Sequence, residues 1–111
     1  MKIVSFNINS IRARPHQIEH LRDTIDPDVI GLQETKVNDP DFPLEIINDI
    51  GYHVEFWGQK GHYGVAILSK CKPLSTVKGF ENDTEEDQKR FIQSSFKFGD
   101  EELIVMNGYF P

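Results

Sequence analysis

The chain is patterned as short apolar runs that end abruptly in polar residues, most clearly in Asp28-Val29-Ile30-Gly31-Leu32-Gln33-Glu34-Thr35-Lys36. Its apolar first half, with Pro27 before it, predicts a buried strand that delivers Glu34 at its tip. Residues 2–9 predict an earlier strand, alternating and then polar at Asn7-Ile8-Asn9. Between the two, Pro15 suits the first turn of a helix, and Ile18, Leu21 and Ile25 recur at i, i+3 and i+7 as one apolar stripe. Asp26-Pro27-Asp28 stops that helix, so the order strand, helix, strand predicts a βαβ-like unit with parallel strands.

Residues 37–43 contain two prolines and read as a loop. Pro43 opens a short second helix that turns Leu44, Ile47 and Ile50 inward and stops at Gly51. Tyr52, Val54 and Phe56 then alternate with His53, Glu55 and Trp57, the period of a strand. Gly58-Gln59-Lys60-Gly61 forms a tight turn into a largely buried strand from Gly64 to Ser69, which predicts an antiparallel hairpin. A weaker strand runs from Leu74 to Val77, and another starts at Phe91, where Ile92, Ser94, Phe96 and Phe98 alternate with polar neighbours. Gly99-Asp100 predicts a two-residue turn into a last strand from Glu101 to Tyr109. The acidic run Glu81 to Asp87 lacks the glycine turn and terminal glutamate of a calcium loop, so it is expected to be solvated.

Composition narrows this little. A chain of 111 residues makes one modest domain, and 38% hydrophobic with 27% charged residues leaves enzyme and binding module both open. No run approaches the ~20 apolar residues of a membrane span, and the N-terminus passes straight into a strand pattern without signal-peptide architecture. Cys71 is the single cysteine, between Lys70 and Lys72, which excludes an internal disulfide and fits a loop thiol in a reducing, cytoplasmic compartment. The net charge of -6 argues against a nonspecific nucleic-acid coat. A nuclease instead needs a local basic rim, for which Arg12, Arg14, Lys36, Lys60, Lys89 and Arg90 are the candidates. His16 and His20 lie four apart on the first helix without the glutamate spacing of a zinc protease or a third ligand, so an exposed helix face is expected.

Three side chains are placed for chemistry. Glu34 is the acidic residue at the end of a strongly apolar strand, suited either to a hard divalent cation or to a simple pairing with Lys36 or a helix N-terminus. Asn7 can orient a carboxylate and donate to a phosphate, or just shape a turn. Tyr109, beside Gly108, offers a phenolic donor or a core aromatic with a satisfied hydroxyl.

Five phrases go further: Ser5-Phe6-Asn7-Ile8-Asn9, Arg12-Ala13-Arg14-Pro15, Leu32-Gln33-Glu34-Thr35-Lys36, Gly58-Gln59-Lys60-Gly61-His62-Tyr63-Gly64-Val65-Ala66 and Asn107-Gly108-Tyr109-Phe110-Pro111. In order and spacing the chain resembles the exonuclease III branch of the endonuclease/exonuclease/phosphatase family, which includes the apurinic endonucleases. The resemblance implies an α/β fold: one mixed sheet with covering helices, forming half of a two-sheet α/β sandwich. Residues 1–111 would be the N-terminal part of a single domain whose C-terminal part is absent.

The activity implied is that of a Mg²⁺-dependent DNA-repair nuclease, with Mn²⁺ as a substitute ion. It would act on duplex DNA as a 3′ to 5′ exonuclease, an abasic-site endonuclease and a 3′-phosphatase. On the matching positions, Glu34 and Asn7 would serve the metal, Asn7 and Tyr109 would be catalytic, and Lys60 and Arg90 would contact DNA. The family's later Gly-Asp-Xaa-Asn and Ser-Asp-His runs occur nowhere in the chain, so these residues alone are expected to have little or no activity. One sheet face would lack its partner, so this chain would self-associate or be poorly soluble where the full protein would be monomeric. Two other readings stay open: a phosphoesterase of the same superfamily sharing Glu34 and Asn7, and a noncatalytic DNA-binding module whose salt-sensitive binding survives chelation.

Overall fold

The computed structural model describes residues 1–59, 61, 63–84 and 87–110. Strands β1 (Ile3–Asn7) and β2 (Val29–Gln33) are adjacent and parallel, with Ile3 opposite Val29 and Asn7 opposite Gln33. Helix α1 (Pro15–Thr24) connects them, with Pro15 opening its first turn. Its stripe is shorter than the spacing implies, because Ile18 is buried but Ile25 caps the helix and is exposed. His16 and His20 are exposed on it, as expected.

Helix α2 (Leu44–Ile50) buries Ile47 and Ile50 and ends at Gly51, whose φ of 120° provides the left-handed cap. Leu44, expected inside, is exposed. Phe42 takes the inward place just before the helix, buried and stacked on Phe56 with ring centroids 4.0 Å apart.

Strands β3 (His53–Trp57) and β4 (Val65–Ser69) form the expected antiparallel hairpin, and β4 also pairs antiparallel with β2. The result is a mixed sheet in the order β1-β2-β4-β3. The two inner strands, β2 and β4, are buried along their whole length, which is why their sequences are continuous apolar runs rather than alternating ones.

The second sheet contains β5 (Ser75–Lys78), β6 (Phe91–Phe98) and β7 (Glu101–Gly108), in that order and all antiparallel. Phe98 pairs with Glu101, so the turn has two residues, with Gly99 supplying a φ of 59° at its first position.

The period of two sorts the core into two layers. Ile30, Leu32, Ala66 and Leu68 face Ile18 and Ile47 of the helices. Val29, Val65 and Ile67 face the second sheet and meet Ile92, Phe96 and Val105. The half-sandwich expectation therefore holds, with one correction: the second sheet covers the mixed sheet's other face over β2 and β4, while the β1 margin of that face, with Ile3, Ser5 and Asn7, is exposed. The alternation of β6 and β7 places Ile92, Phe96 and Val105 on the covering side. Exposed apolar residues lie also on the outside of the second sheet, with Val77, Ile104 and Met106 at 52%, 51% and 66% exposure. No helix among the described residues is long and apolar enough to cross a membrane.

Candidate active site

Because β1 and β2 run parallel, Asn7 and Glu34 emerge side by side from the same end of the sheet. Asn7 Nδ2 donates to Glu34 Oε1 at 2.9 Å, and Asn7 Oδ1 accepts the Asn9 N–H at 3.1 Å. Just past the strands the backbone turns left-handed at Asn9 (φ 49°), Ser10 (85°), Glu34 (54°) and Lys36 (57°). Each such non-glycine residue costs about 1–2 kcal/mol, so the surroundings must hold it there. They do so from both sides. Ser10 N–H donates to the Glu34 carbonyl at 2.9 Å and Ile11 N–H to that of Thr35 at 3.1 Å. Thr35 and Lys36 in turn donate to the carbonyls of Gly64 and Tyr63 at 3.1 and 2.9 Å. Glu34 is thus clamped between the β1–α1 connection and the β3–β4 hairpin.

Glu34 is largely enclosed, its side chain 16% exposed, with Lys36 Nζ at 3.4 Å from Oε2 and at 2.6 Å from Asn9 Oδ1. The hydrogen bond from Asn7, then one from the Tyr109 hydroxyl, and then Lys36 hold its carboxyl below the usual range, against an opposing cost of burial. The same bond raises the Tyr109 phenol, with burial adding to it, so Tyr109 remains a protonated donor. Tyr109 follows directly on β7, where its N–H donates to the Arg90 carbonyl at 2.8 Å. Its ring meets Tyr63 edge-on at 6.3 Å, and the Arg90 guanidinium lies 5.7 Å from the Tyr63 ring.

Asn7, Glu34 and Tyr109 therefore form one cluster, with Arg90 beside it through Tyr63. Lys60 lies outside the described residues. Of the other basic candidates, Arg14 donates to the Asn9 carbonyl and Lys36 borders the carboxylate. Lys89 packs over Trp57 at 4.4 Å, and Arg12 is exposed. In the acidic run, Glu81, Asn82, Thr84 and Asp87 are exposed, while Asp83 and Asp87 accept the N–H groups of Phe80 and Thr84. The sequence reading missed Asn9 as the shared partner of Lys36 and Arg14, and Gln33 as a buried polar neighbour of Glu34. A polar residue inside a fully buried strand was the available signal for Gln33.

Among the described residues no group of three His, Cys, Asp or Glu side chains converges. What the site offers a cation is one oriented carboxylate and the Asn7 amide oxygen, which accepts one bond and keeps a second lone pair. That set suits a hard ion such as Mg²⁺, which retains several waters and needs only one or two carboxylates.

Fold and site together define part of a two-sheet α/β sandwich with an oriented carboxylate at one end of its mixed sheet. The chain belongs to the endonuclease/exonuclease/phosphatase family, whose sequence profile matches residues 4–106. It is 54% identical over its full length to exodeoxyribonuclease III of Haemophilus influenzae, of which it spans 42%. A 3′ phosphatase from Neisseria, solved with a product DNA hairpin, superposes with a TM-score of 0.86 at 32% identity, over 98% of this chain and 41% of that one. An AP endonuclease from Archaeoglobus fulgidus gives 0.83 at 38% identity, over 98% and 40%. The chain spans less than half the length of each of these proteins.

Proposed function

We propose that these residues form the Glu34 side of the active site of a divalent-metal-dependent DNA-repair nuclease. Its substrates are duplex DNA with 3′ ends, blocked 3′ termini or abasic sites. The observation that carries this reading is the clamped Glu34 carboxylate at the end of β2, oriented by Asn7 Nδ2 at 2.9 Å and bordered by Lys36. Similarity to an exodeoxyribonuclease III and to an AP endonuclease supports it.

Phosphodiester hydrolysis needs charge stabilisation at the phosphate, an activated water and help for the departing oxygen. Glu34, with the Asn7 amide oxygen beside it, would hold Mg²⁺, or Mn²⁺ in its place, which supplies Lewis-acid polarisation of a phosphoryl oxygen. Asn7 fixes the direction of the carboxylate through its Nδ2. Tyr109 keeps its proton beside Glu34, and with that carboxylate engaged by the ion its hydroxyl would turn to donate to a non-bridging phosphate oxygen. Arg90, together with Lys60, holds the DNA backbone, a contact that positions the duplex rather than reads its sequence. The residue that accepts the proton of the attacking water belongs to the Gly-Asp-Xaa-Asn and Ser-Asp-His runs that this sequence lacks. The 111 residues by themselves therefore bind the ion and do not cleave.

Glu34→Gln tests the reading at two levels. In this chain, Mn²⁺ broadens the NMR signals of Asn7, and the substitution removes that broadening. In a polypeptide carrying these residues together with the two missing motifs, it lowers cleavage of an abasic duplex by more than about 100-fold. Unchanged Mn²⁺ broadening together with undiminished cleavage overturns the proposal.

A further inference from the structure

We propose that Asn107 is a positioning residue: its side-chain amide, docked over Gly31 in the core between the sheets, sets where Tyr109 stands relative to Glu34. The inference rests on the reading of Glu34 and Tyr109 given above and adds the part that holds them in register.

Asn107 lies on β7, two residues before Tyr109, and is 5% exposed. Its Nδ2 donates to the carbonyls of Leu32 at 2.8 Å and Ala66 at 2.9 Å, which are register partners on the inner strands β2 and β4. Its Oδ1 accepts from Gln33 Nε2 at 2.6 Å. Gln33, itself buried, is the residue before Glu34, and its Nε2 also lies 3.2 Å from Ser5 Oγ and 3.3 Å from the Gly31 carbonyl. Both amide donors and an acceptor position of Asn107 are thus matched, the condition under which a buried amide is tolerated.

The space for it is provided by Gly31. A Cβ there would stand 3.0 Å from Asn107 Oδ1 and 3.1 Å from its Cγ. Four consecutive residues of one strand end therefore have linked tasks. Gly31 leaves room, Leu32 supplies an acceptor, Gln33 supplies a donor, and Glu34 is the carboxylate being served. Neighbouring contacts between the sheets are apolar, through Val29, Val65, Ile67, Ile92, Phe96 and Val105. Such packing is non-directional and tolerates small lateral shifts. Three directed hydrogen bonds do not. An apolar residue of equal size would fill the same volume without partners, so what the amide adds is a fixed lateral and rotational placement of β7. That placement is inherited two residues later by the Tyr109 hydroxyl.

The test uses this chain, Mn²⁺ as the probe, and three variants. Asn107→Leu keeps the volume and removes the bonds. Gly31→Ala presses on the amide from the opposite strand without altering it. Val105→Ala removes core packing from β7 and leaves the bonds intact. The readouts are Mn²⁺-induced relaxation at Asn7, relaxation at the Tyr109 ring, and the ring-to-ring NOE between Tyr63 and Tyr109.

Asn107→Leu is expected to lower relaxation at the Tyr109 ring several-fold and weaken the NOE while Asn7 remains broadened. Gly31→Ala should give a smaller loss of the same kind, and Val105→Ala should leave both signals near wild type. Should Asn107→Leu fail to fold, Gly31→Ala against Val105→Ala makes the same comparison. Wild-type Tyr109 signals in Asn107→Leu, or in Gly31→Ala where that variant stands in, overturn the proposal, and so does an equal loss in Val105→Ala. Absence of broadening at Asn7 in the wild-type chain is a failure of the metal reading instead. The NOE then still decides whether Asn107 places Tyr109.

Discussion

At the scale of single residues, the site concentrates unfavourable conformations that its neighbours hold in place. Glu34 and Lys36 both sit at positive φ, and Thr35 between them is 1% exposed with a hydroxyl that has no hydrogen-bond partner among the described residues. Gly64 packs directly on that hydroxyl. Its own φ of 102° and the 2.1 Å at which a Cβ would meet Thr35 Oγ1 together require a glycine there. A buried hydroxyl without a partner costs about 1–3 kcal/mol, and valine has nearly the same shape. Thr35→Val is therefore expected to raise stability by about 1 kcal/mol, read as a higher urea midpoint with an unchanged slope. A lower midpoint would mean that the hydroxyl has a partner after all. At this scale the ends of apolar runs left Glu34, Asn7 and Tyr109 open between chemical and structural roles, and the phrases that resemble the family singled them out. The role of Asn107 was not legible. A polar residue near the end of an alternating strand gives no sign of whether it points to water or across a core to a strand 75 residues away.

At the scale of elements, everything the site does depends on the register of β1 against β2, since a slip of one residue turns each side chain to the other face. Asp28 fixes that register. Its N–H donates to the Lys2 carbonyl at 2.8 Å, and its carboxylate accepts the Lys2 N–H at 2.8 Å. That second bond, helped by Lys70, holds the Asp28 carboxyl below its ordinary value of 3.8. The folded state therefore favours the charged form. Its contribution is fully present above pH 3.8 and is lost as the pH falls through the depressed value. Asp28→Asn is expected to lower stability near neutral pH and to flatten the acid limb of a urea-midpoint profile, because asparagine can still accept the Lys2 N–H without titrating. An acid limb as steep as that of the wild type would show that other carboxylates dominate it.

The elements themselves were largely legible. The continuous apolar runs gave β2 and β4, Pro15 and Gly51 marked helix ends, and Gly99-Asp100 gave the last hairpin. What covers each sheet face was not, because alternation shows that one side of β6 is buried without saying against what. Local periodicity likewise overextended the stripe of α1 to Ile25 and turned Leu44 inward, where Phe42 filled the place.

At the scale of the whole molecule, the two layers close around a shared core. The radius of gyration is 13.2 Å, against about 13 Å expected for a compact chain of roughly this length. The remaining apolar surface lies outside that core. Across the outer face of the second sheet, Val77, Gln93 and Met106 form one cross-strand row, and Ser75, Ser95 and Ile104 form the next. Among the described residues β7 is also an edge strand, so its exposed Ile104 and Met106 stand beside backbone groups that no other described strand pairs. Such an edge pairs readily with another chain. The net charge of -6 works against it, because two copies repel. Self-association of this chain is therefore expected to be weak in dilute buffer and to strengthen with salt, which screens the repulsion and leaves the apolar contact intact. Met106→Glu separates this surface from the core. The side chain is 66% exposed, so the fold is kept while one more negative charge enters the edge-strand end of the row. Sedimentation velocity in high salt should then show monomer where the wild-type chain associates. Equal association of the two would place the contact elsewhere than on this face.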